Sequence, residues 1–190
     1  MRPWEASKNI SWAVCFLLSG LLWPSDIDAA TAQTIDAGAD KTLVQFRSHV
    51  KGAEVLLRDA KGVLVFPEII QVGIGIGGQY GEGVLRFGGQ SLAYYNLAAV
   101  SIGLQLGAQR KSIVVVFLQD EALQGFREKT RTDNAWNVGV DGSVALLRLG
   151  AQASIDSATF NQPIVGVVFG QQGLMYNLSL QGAKVSRLER

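Results

Sequence analysis

Three groups of residues in this 190-residue chain have types and spacings that could do chemistry. In "VGIGIGGQYGEG", Val72 to Gly83, the residues Gly73, Gly75 and Gly78 match the Gly-x-Gly-x-x-Gly spacing of a dinucleotide-binding turn, and the strand-like "GVLVF" precedes them. Such a turn needs its third glycine to open a helix that holds the pyrophosphate, with an acidic residue about twenty positions on. The residues after Gly78 read as more strand and the position twenty further on is Ala98, so no nucleotide is expected. His49 is the only histidine and would have to serve any Ser-His-Asp hydrolase. There is no Gly-x-Ser-x-Gly elbow, and Ser143 in "DGSVA" reads as part of a turn. Glu82 and Asp141 could pair as glycosidase carboxylates, but Glu82 between glycines reads first as an exposed or edge position of a sheet. The remaining acids are scattered, which gives no metal-ligand cluster. No catalysis, cofactor or metal is expected.

The elements that must position these residues begin after a leader. "MRPWEASKN" carries Arg2 and Lys8, "ISWAVCFLLSGLLW" is a short apolar core, and "ATAQ" offers Ala30 and Ala32 as small residues. This is the plan of a secretory signal over residues 1–32, with cleavage after Ala32 or, as the alternative, after Ala29. The apolar run is shorter than the ~20 residues of a spanning helix. The single cysteine, Cys15, lies inside it, follows Val14 and is poorly placed for lipid attachment. The remaining chain, 33–190, then has no cysteine and so no disulfide or thiolate site. Removing Arg2 and Lys8 from 17 basic residues, and Glu5, Asp26 and Asp28 from 16 acidic ones, leaves about two net positive charges. That is too small a charge for nucleic-acid binding by counterion release. One domain is expected, exported and periplasmic or envelope-associated.

From Asp40, "DKTLVQFRSHVKGAEVLLRDA" repeats at helical spacing. Leu43, Phe46, Val50, Ala53 and Leu57 share a face, Lys41, Arg47, Lys51 and Arg58 line others, and Asp40 reads as the N-cap. Gly52 reads as a weak point of a continuous helix. Beyond Lys61 the period is two, with Gly88-Gly89, Gly142 and "GQQG" (170–173) as turns and "QDEALQGFREKT" as a short helical insertion. Without long helical crossovers the sheet is expected to be antiparallel. In the glycine stretch Gln71, Gly73, Gly75, Gly77, Gln79, Gly81 and Gly83 share one side of a strand, and Val72, Ile74, Ile76, Tyr80 and Val84 the other. Ser101, Gly103, Gln105 and Gly107 repeat the pattern. A face without side chains weakens a strand unless a helix approaches closely, the sheet curves strongly, or a ligand lies on the backbone. Trp136 and the pair Tyr94-Tyr95 read as core or sheet-edge residues, with an interfacial belt or sugar platform as the other use.

Taken together, "AKGVLVFPEI", "GIGGQYGEGVLR", "YYNLAAVSIGLQLGAQ", "SIVVVFL", "WNVGVDGSVAL" and "GLMYNLSLQGAKVSRLE" resemble the SYLF domain family, in that family's order and approximate spacing. The family occurs in fungal and animal actin-patch and membrane-trafficking proteins and in exported bacterial proteins. The resemblance implies non-catalytic phospholipid binding, with phosphoinositides the ligand class of eukaryotic members and the N-terminal amphipathic helix engaged at the membrane.

The sequence therefore predicts an α+β domain: a curved, barrel-like, glycine-rich antiparallel sheet with a packed N-terminal amphipathic helix and a short helical insertion. The candidate lipid-binding residues are Lys41, Phe46, Arg47, Val50, Lys51 and Arg58 on the helix and Gly73, Gly75 and Gly77 on the sheet. The expected partner is a phospholipid surface, and the alternative is an envelope interaction module without a lipid ligand.

Overall fold

A computed structural model describes residues 30–148, 159–173, 180 and 182–190. Residues 1–29, which hold most of the segment read as a leader, residues 149–158 and most of "GLMYNLSLQ" lie outside the described residues, as do the side chains of 101–106 and 148. The elements in chain order are α1 (Ala32–His49), α2 (Ala53–Asp59), β1 (Gly62–Phe87), β2 (Gln90–Phe117), α3 (Asp120–Thr132), β3 (Ala135–Asn137), β4 (Ala145–Arg148), β5 (Ile164–Gly173) and β6 (Lys184–Leu188). The strand order β3-β6-β2-β5-β4, with β1 on the other edge of β2, forms a sheet that curls into a half-barrel.

The two long strands organise the rest. They are joined by the two-residue turn Gly88-Gly89, where both glycines have positive φ (55° and 84°), the backbone that a tight hairpin loop requires. Segments that read separately in sequence, "GVLVF", the glycine stretch and "GVLRF", are one 26-residue strand. Its continuity survives because register shifts between Phe66 and Ile69, Ile74 and Ile76, and Leu85 and Arg86 let it bend without losing its partner.

The glycines explain where it bends. A Cβ on Gly73 would lie 2.7 Å from the Gly77 Cα, one on Gly81 would meet the Glu68 carbonyl and lie 2.7 Å from Ile69 Cγ1, and one on Gly83 would meet the Val65 carbonyl and lie 2.6 Å from Phe66 Cδ1. These pairs are nested around residue 75. The hairpin is folded over on itself there, and the face without side chains is the inside of the fold. Gly75 sits at the bend with φ +72° and open space around it, so its requirement is conformational, whereas its neighbours' requirement is steric.

Inside the crease, Gln109 Nε2 donates to Gln71 Oε1 at 3.0 Å. Lys111, 2% exposed, donates from Nζ to Gln71 Oε1 at 2.9 Å and to Gln79 Oε1 at 2.7 Å, linking the two halves of β1. The main core fills the concave side, where Phe126 of α3 meets Tyr95 (5.1 Å), Phe117 (5.1 Å) and Trp136 (5.5 Å). Trp136 and Tyr95 are thus core residues.

A second core lies between the N-terminal helices and the valines Val65, Val114, Val116, Val165 and Val167. The helix that reads from Asp40 begins eight residues earlier: Thr31 is the N-cap, accepting from the Thr34 amide at 3.2 Å, and Ile35, Ala39, Thr42 and Phe46 face the sheet. Asp40 lies mid-helix, where it pairs with Arg86 of β1. The alanine-rich "ATAQTIDAGAD" satisfies a leader junction and a helix start equally well, which hid this turn. α1 ends at His49 with Val50 as its C-cap, and Gly52, at φ 88°, is the N-cap of α2 instead of a weak point in a single helix.

Two further expectations need correction. The β4–β5 pair is parallel (Ala145↔Val165 to Arg148↔Val168), while the other strand pairs are antiparallel. "GQQG" is not a turn but the end of β5, with Gly170 at φ 66° beside a register shift in β2. Its glycines accommodate a bulge while pairing continues to Gly173.

Candidate functional site

The bend of the hairpin turns β1's apolar side outward. Val72, Ile74, Ile76 and, across the ladder, Val100 are 52%, 80%, 66% and 79% exposed. Ile70 at the foot of this row is also exposed. The side of β1 that buries Leu64, Phe66 and Ile69 continues as Gln71 and Gly73 into the crease, while the opposite side, from Ile70 onward, passes into open solvent. No charged residue occurs between Glu68 and Glu82, or between Arg86 and Arg110, so the protruding loop of sheet carries no charge in either strand. Isolated exposed aliphatics are ordinary; a contiguous row on a charge-free projection marks an interaction surface.

The row runs into a groove of about 1370 Å³ between α1 and the sheet. Lys41, Gln45 and His49 line it from the helix, and Ile70, Tyr80 and Arg110 from the strands. Arg110 pairs at 3.6 Å with Glu68, and both are exposed. His49 Nδ1 lies 2.9 Å from the Gln45 carbonyl oxygen and 3.0 Å from Ser48 Oγ, both on its own helix, which makes it a local helix contact. Tyr80 closes one wall by donating to Glu82 Oε1 at 2.9 Å. Burial first, then this bond to the carboxylate, pushes the Tyr80 phenol above its ordinary range.

The anchor that fixes α1 above the groove is polar. Asp36 accepts from Ser91 Oγ at 2.6 Å and from Tyr94 OH at 2.8 Å, and lies 3.6 Å from the Arg86 guanidinium. Burial acts to raise the Asp36 pKa, but the two hydroxyls and the Arg86 charge together outweigh it and hold the carboxyl below its usual value. The strand residues that read as an aromatic pair therefore divide: Tyr95 packs in the core and Tyr94 holds the helix.

The candidate lipid residues also divide. Phe46 and Val50 are buried in the second core, Phe46 against Phe169 with ring centroids 5.6 Å apart, so the helix's apolar face is already occupied. Lys41, Arg47, Lys51 and Arg58 are exposed. Only Lys41 of these lines the groove; Arg47 pairs with Glu54 at 3.2 Å and Arg58 with Asp59 at 3.1 Å. Gly73, Gly75 and Gly77 make the bend and do not offer a lipid-binding floor, because Gly73 and Gly77 nearly touch each other.

The carboxylates weighed as a catalytic pair belong to separate networks. Glu82 receives two hydrogen bonds from Arg190 Nη2, at 2.9 and 3.0 Å. Asp141 accepts from the Asn137 amide at 2.7 Å and Nδ2 at 3.0 Å, and the amide bond comes first among the causes that lower its pKa. Among the described residues no three of His, Cys, Asp and Glu converge as metal ligands.

What the sequence reading missed is the exposure of Val72, Ile74, Ile76 and Val100. The available signal was the long charge-free interval in both strands, since a sheet face turned to water ordinarily carries charge.

A curled sheet backed by an amphipathic helix, with an apolar projection and an adjoining groove, defines a binding domain. A family model described as Ysc84, Las17-binding protein actin regulator, matches residues 98–189, from the first third of β2 to just past the end of β6. Residues 98–189 thus match the Ysc84, or SYLF, domain family, in agreement with the resemblance read from the sequence. No curated protein matches the chain closely enough to add a named relative.

Proposed function

We propose that this protein binds phospholipid membranes peripherally and without catalysis, as an exported component of the bacterial cell envelope, by inserting the apolar bend of the β1–β2 hairpin. The observation that carries this reading is the row Val72, Ile74, Ile76 and Val100, half to four-fifths exposed on a projection with no charge. Fully burying an aliphatic side chain of this size stabilises by about 1.5 to 3 kcal/mol. A cation at an anionic surface adds about 1 kcal/mol. The bend therefore outweighs the helix cations, with Lys41 and Arg110 left to meet phosphate oxygens at the mouth of the groove. Among the described residues no helix is long and apolar enough to cross a membrane, which suits attachment at one face. The family's description as an actin regulator does not transfer to an exported chain, which would not meet actin.

Flotation with vesicles of neutral and of anionic phospholipid, at low and high salt, tests the reading. Binding that persists on neutral vesicles and in high salt is expected, because apolar insertion is not screened. Failure to float with any phospholipid at low salt would overturn it and leave an envelope protein-interaction module in its place.

A further inference from the structure

At the other end of the folded hairpin lies a second cavity, of about 380 Å³, between α3 and the paired strands β2 and β6. On α3, Gln124, Arg127, Glu128 and Arg131 recur at the three- and four-residue intervals of one helix face and line the cavity's rim. Arg187 of β6, opposite Tyr95 in the ladder, completes it. On the strand side it is lined by Leu85, Leu92, Ala93 and Tyr95. Leu85 and Tyr95 are core residues, so this wall is fixed by the fold.

The three guanidiniums are exposed and make no ion pair among the described residues, although Glu128 lies in the same rim. Arg127 and Arg131 are an i,i+4 pair of like charge, an arrangement that costs helix stability unless something neutralises it. Planar guanidiniums converging on one cavity match the oxygens of a phosphate bidentately, and the strand wall accepts a ring or short chain attached to it.

The geometry points to a binding site for a soluble organic phosphate, its phosphate held by Arg127, Arg131 and Arg187 and its apolar body on Leu92 and Tyr95. The same phosphate chemistry is offered by a lipid headgroup, but distance argues against that source. Leu85 is nine residues along β1 from Ile76, about 30 Å at 3.3 Å per residue, so a bend seated in a bilayer carries this cavity away from that surface. The choice of source rests on the membrane reading; the anion site itself does not.

Calorimetric titration with 1-naphthyl phosphate at low salt tests the proposal, with inorganic phosphate and 1-naphthol as the two halves of the probe. One naphthyl phosphate is expected per chain, at least tenfold tighter than inorganic phosphate, with no binding of the uncharged naphthol. Arg131→Gln with Arg187→Gln should weaken it at least tenfold while the melting curve holds, and Glu128→Gln should tighten it. If the double variant melts early, Arg187→Gln alone and the Glu128→Gln direction decide. Absence of naphthyl phosphate binding, equal binding of naphthol, or affinity unmoved by these substitutions would overturn the site. Displacement of the probe by phosphatidic acid vesicles, and not by soluble dihexanoyl phosphatidic acid, would overturn its assignment to a soluble ligand.

Discussion

The N-terminal helix and the hairpin bend carry the same kind of pattern, aliphatic residues on one side and something else on the other, and they end in opposite environments. In α1 the aliphatic side, Ile35, Ala39 and Phe46, lies on the sheet and the cations face out. In the bend the aliphatic side, Val72, Ile74 and Ile76, faces out, because the glycine side is taken up by the strand folding on itself. Amphipathicity says that one face wants to leave water; it does not say what will cover it. Here the competing cover is decided by glycine: the two halves of the strand approach this closely only where side chains are missing, from both at Gly73 and Gly77 and from one at Gly81 and Gly83, and that contact claims the face first.

The largest effect should come from breaking that contact. Gly83→Val places a branched side chain against the Val65 carbonyl and the Phe66 ring, where the backbone cannot give way, and should cost more than about 3 kcal/mol or prevent folding. Gly75→Ala meets open space and should cost only the left-handed strain, about 1 to 2 kcal/mol. Denaturant unfolding of the two variants separates steric from conformational glycine; equal losses would show that the fold does not depend on close approach at Gly83.

The next effect should appear in binding alone. Ile74→Ser with Ile76→Ser removes about 3 kcal/mol of insertion free energy, roughly a hundredfold in vesicle affinity, while the melting temperature stays level because both side chains are already in water. A destabilised fold with unchanged flotation would reverse the assignment of the two faces.

The helix end of the comparison is sharpened by acid. Asp36 has a lowered pKa in the folded chain, so its contribution is fully present above the ordinary aspartate value near 4 and is lost as pH falls through the lower folded value. Amide protection along residues 32–49, relative to the intrinsic exchange rate, should fall over that window, and Asp36→Asn should abolish the dependence. The smallest effect concerns the cap: Thr31→Ala should cost about 1 kcal/mol. The two candidate leader junctions differ in the same way, since cleavage after Ala29 keeps the Thr31 cap and cleavage after Ala32 removes it. If the chain is exported as proposed, N-terminal sequencing of the mature protein reads which is used, and a start at Ala30, which keeps the cap, is expected.

Much of the architecture was legible because it rests on local rules. Gly88-Gly89 specifies a tight hairpin, "QDEALQGFREKT" an insertion helix, and period two the long strands. The fold over Gly75 was legible only as a question, because alternation identifies two faces of a strand without identifying which of them meets another layer. The parallel β4–β5 pair was not legible, since nothing in "ALL" distinguishes the direction of its partner. At the candidate site, Lys41 and the glycines were visible by type, whereas the buried Lys111 and the exposed Ile74 each contradict the ordinary habit of their residue and depend on the crease for their placement.

The central claim, that the bend and not the helix enters the membrane, is tested by an environment-sensitive label in a Cys15→Ser chain. Val44 on α1 and Ile74 at the bend are comparably open to solvent, 64% and 80% exposed, so each position, changed to cysteine and labelled with a nitrobenzoxadiazole dye, starts wet. On adding phospholipid vesicles the dye at position 74 is expected to shift to the blue and brighten while the dye at position 44 does not change. A blue shift at position 44 with position 74 remaining in water would contradict the account.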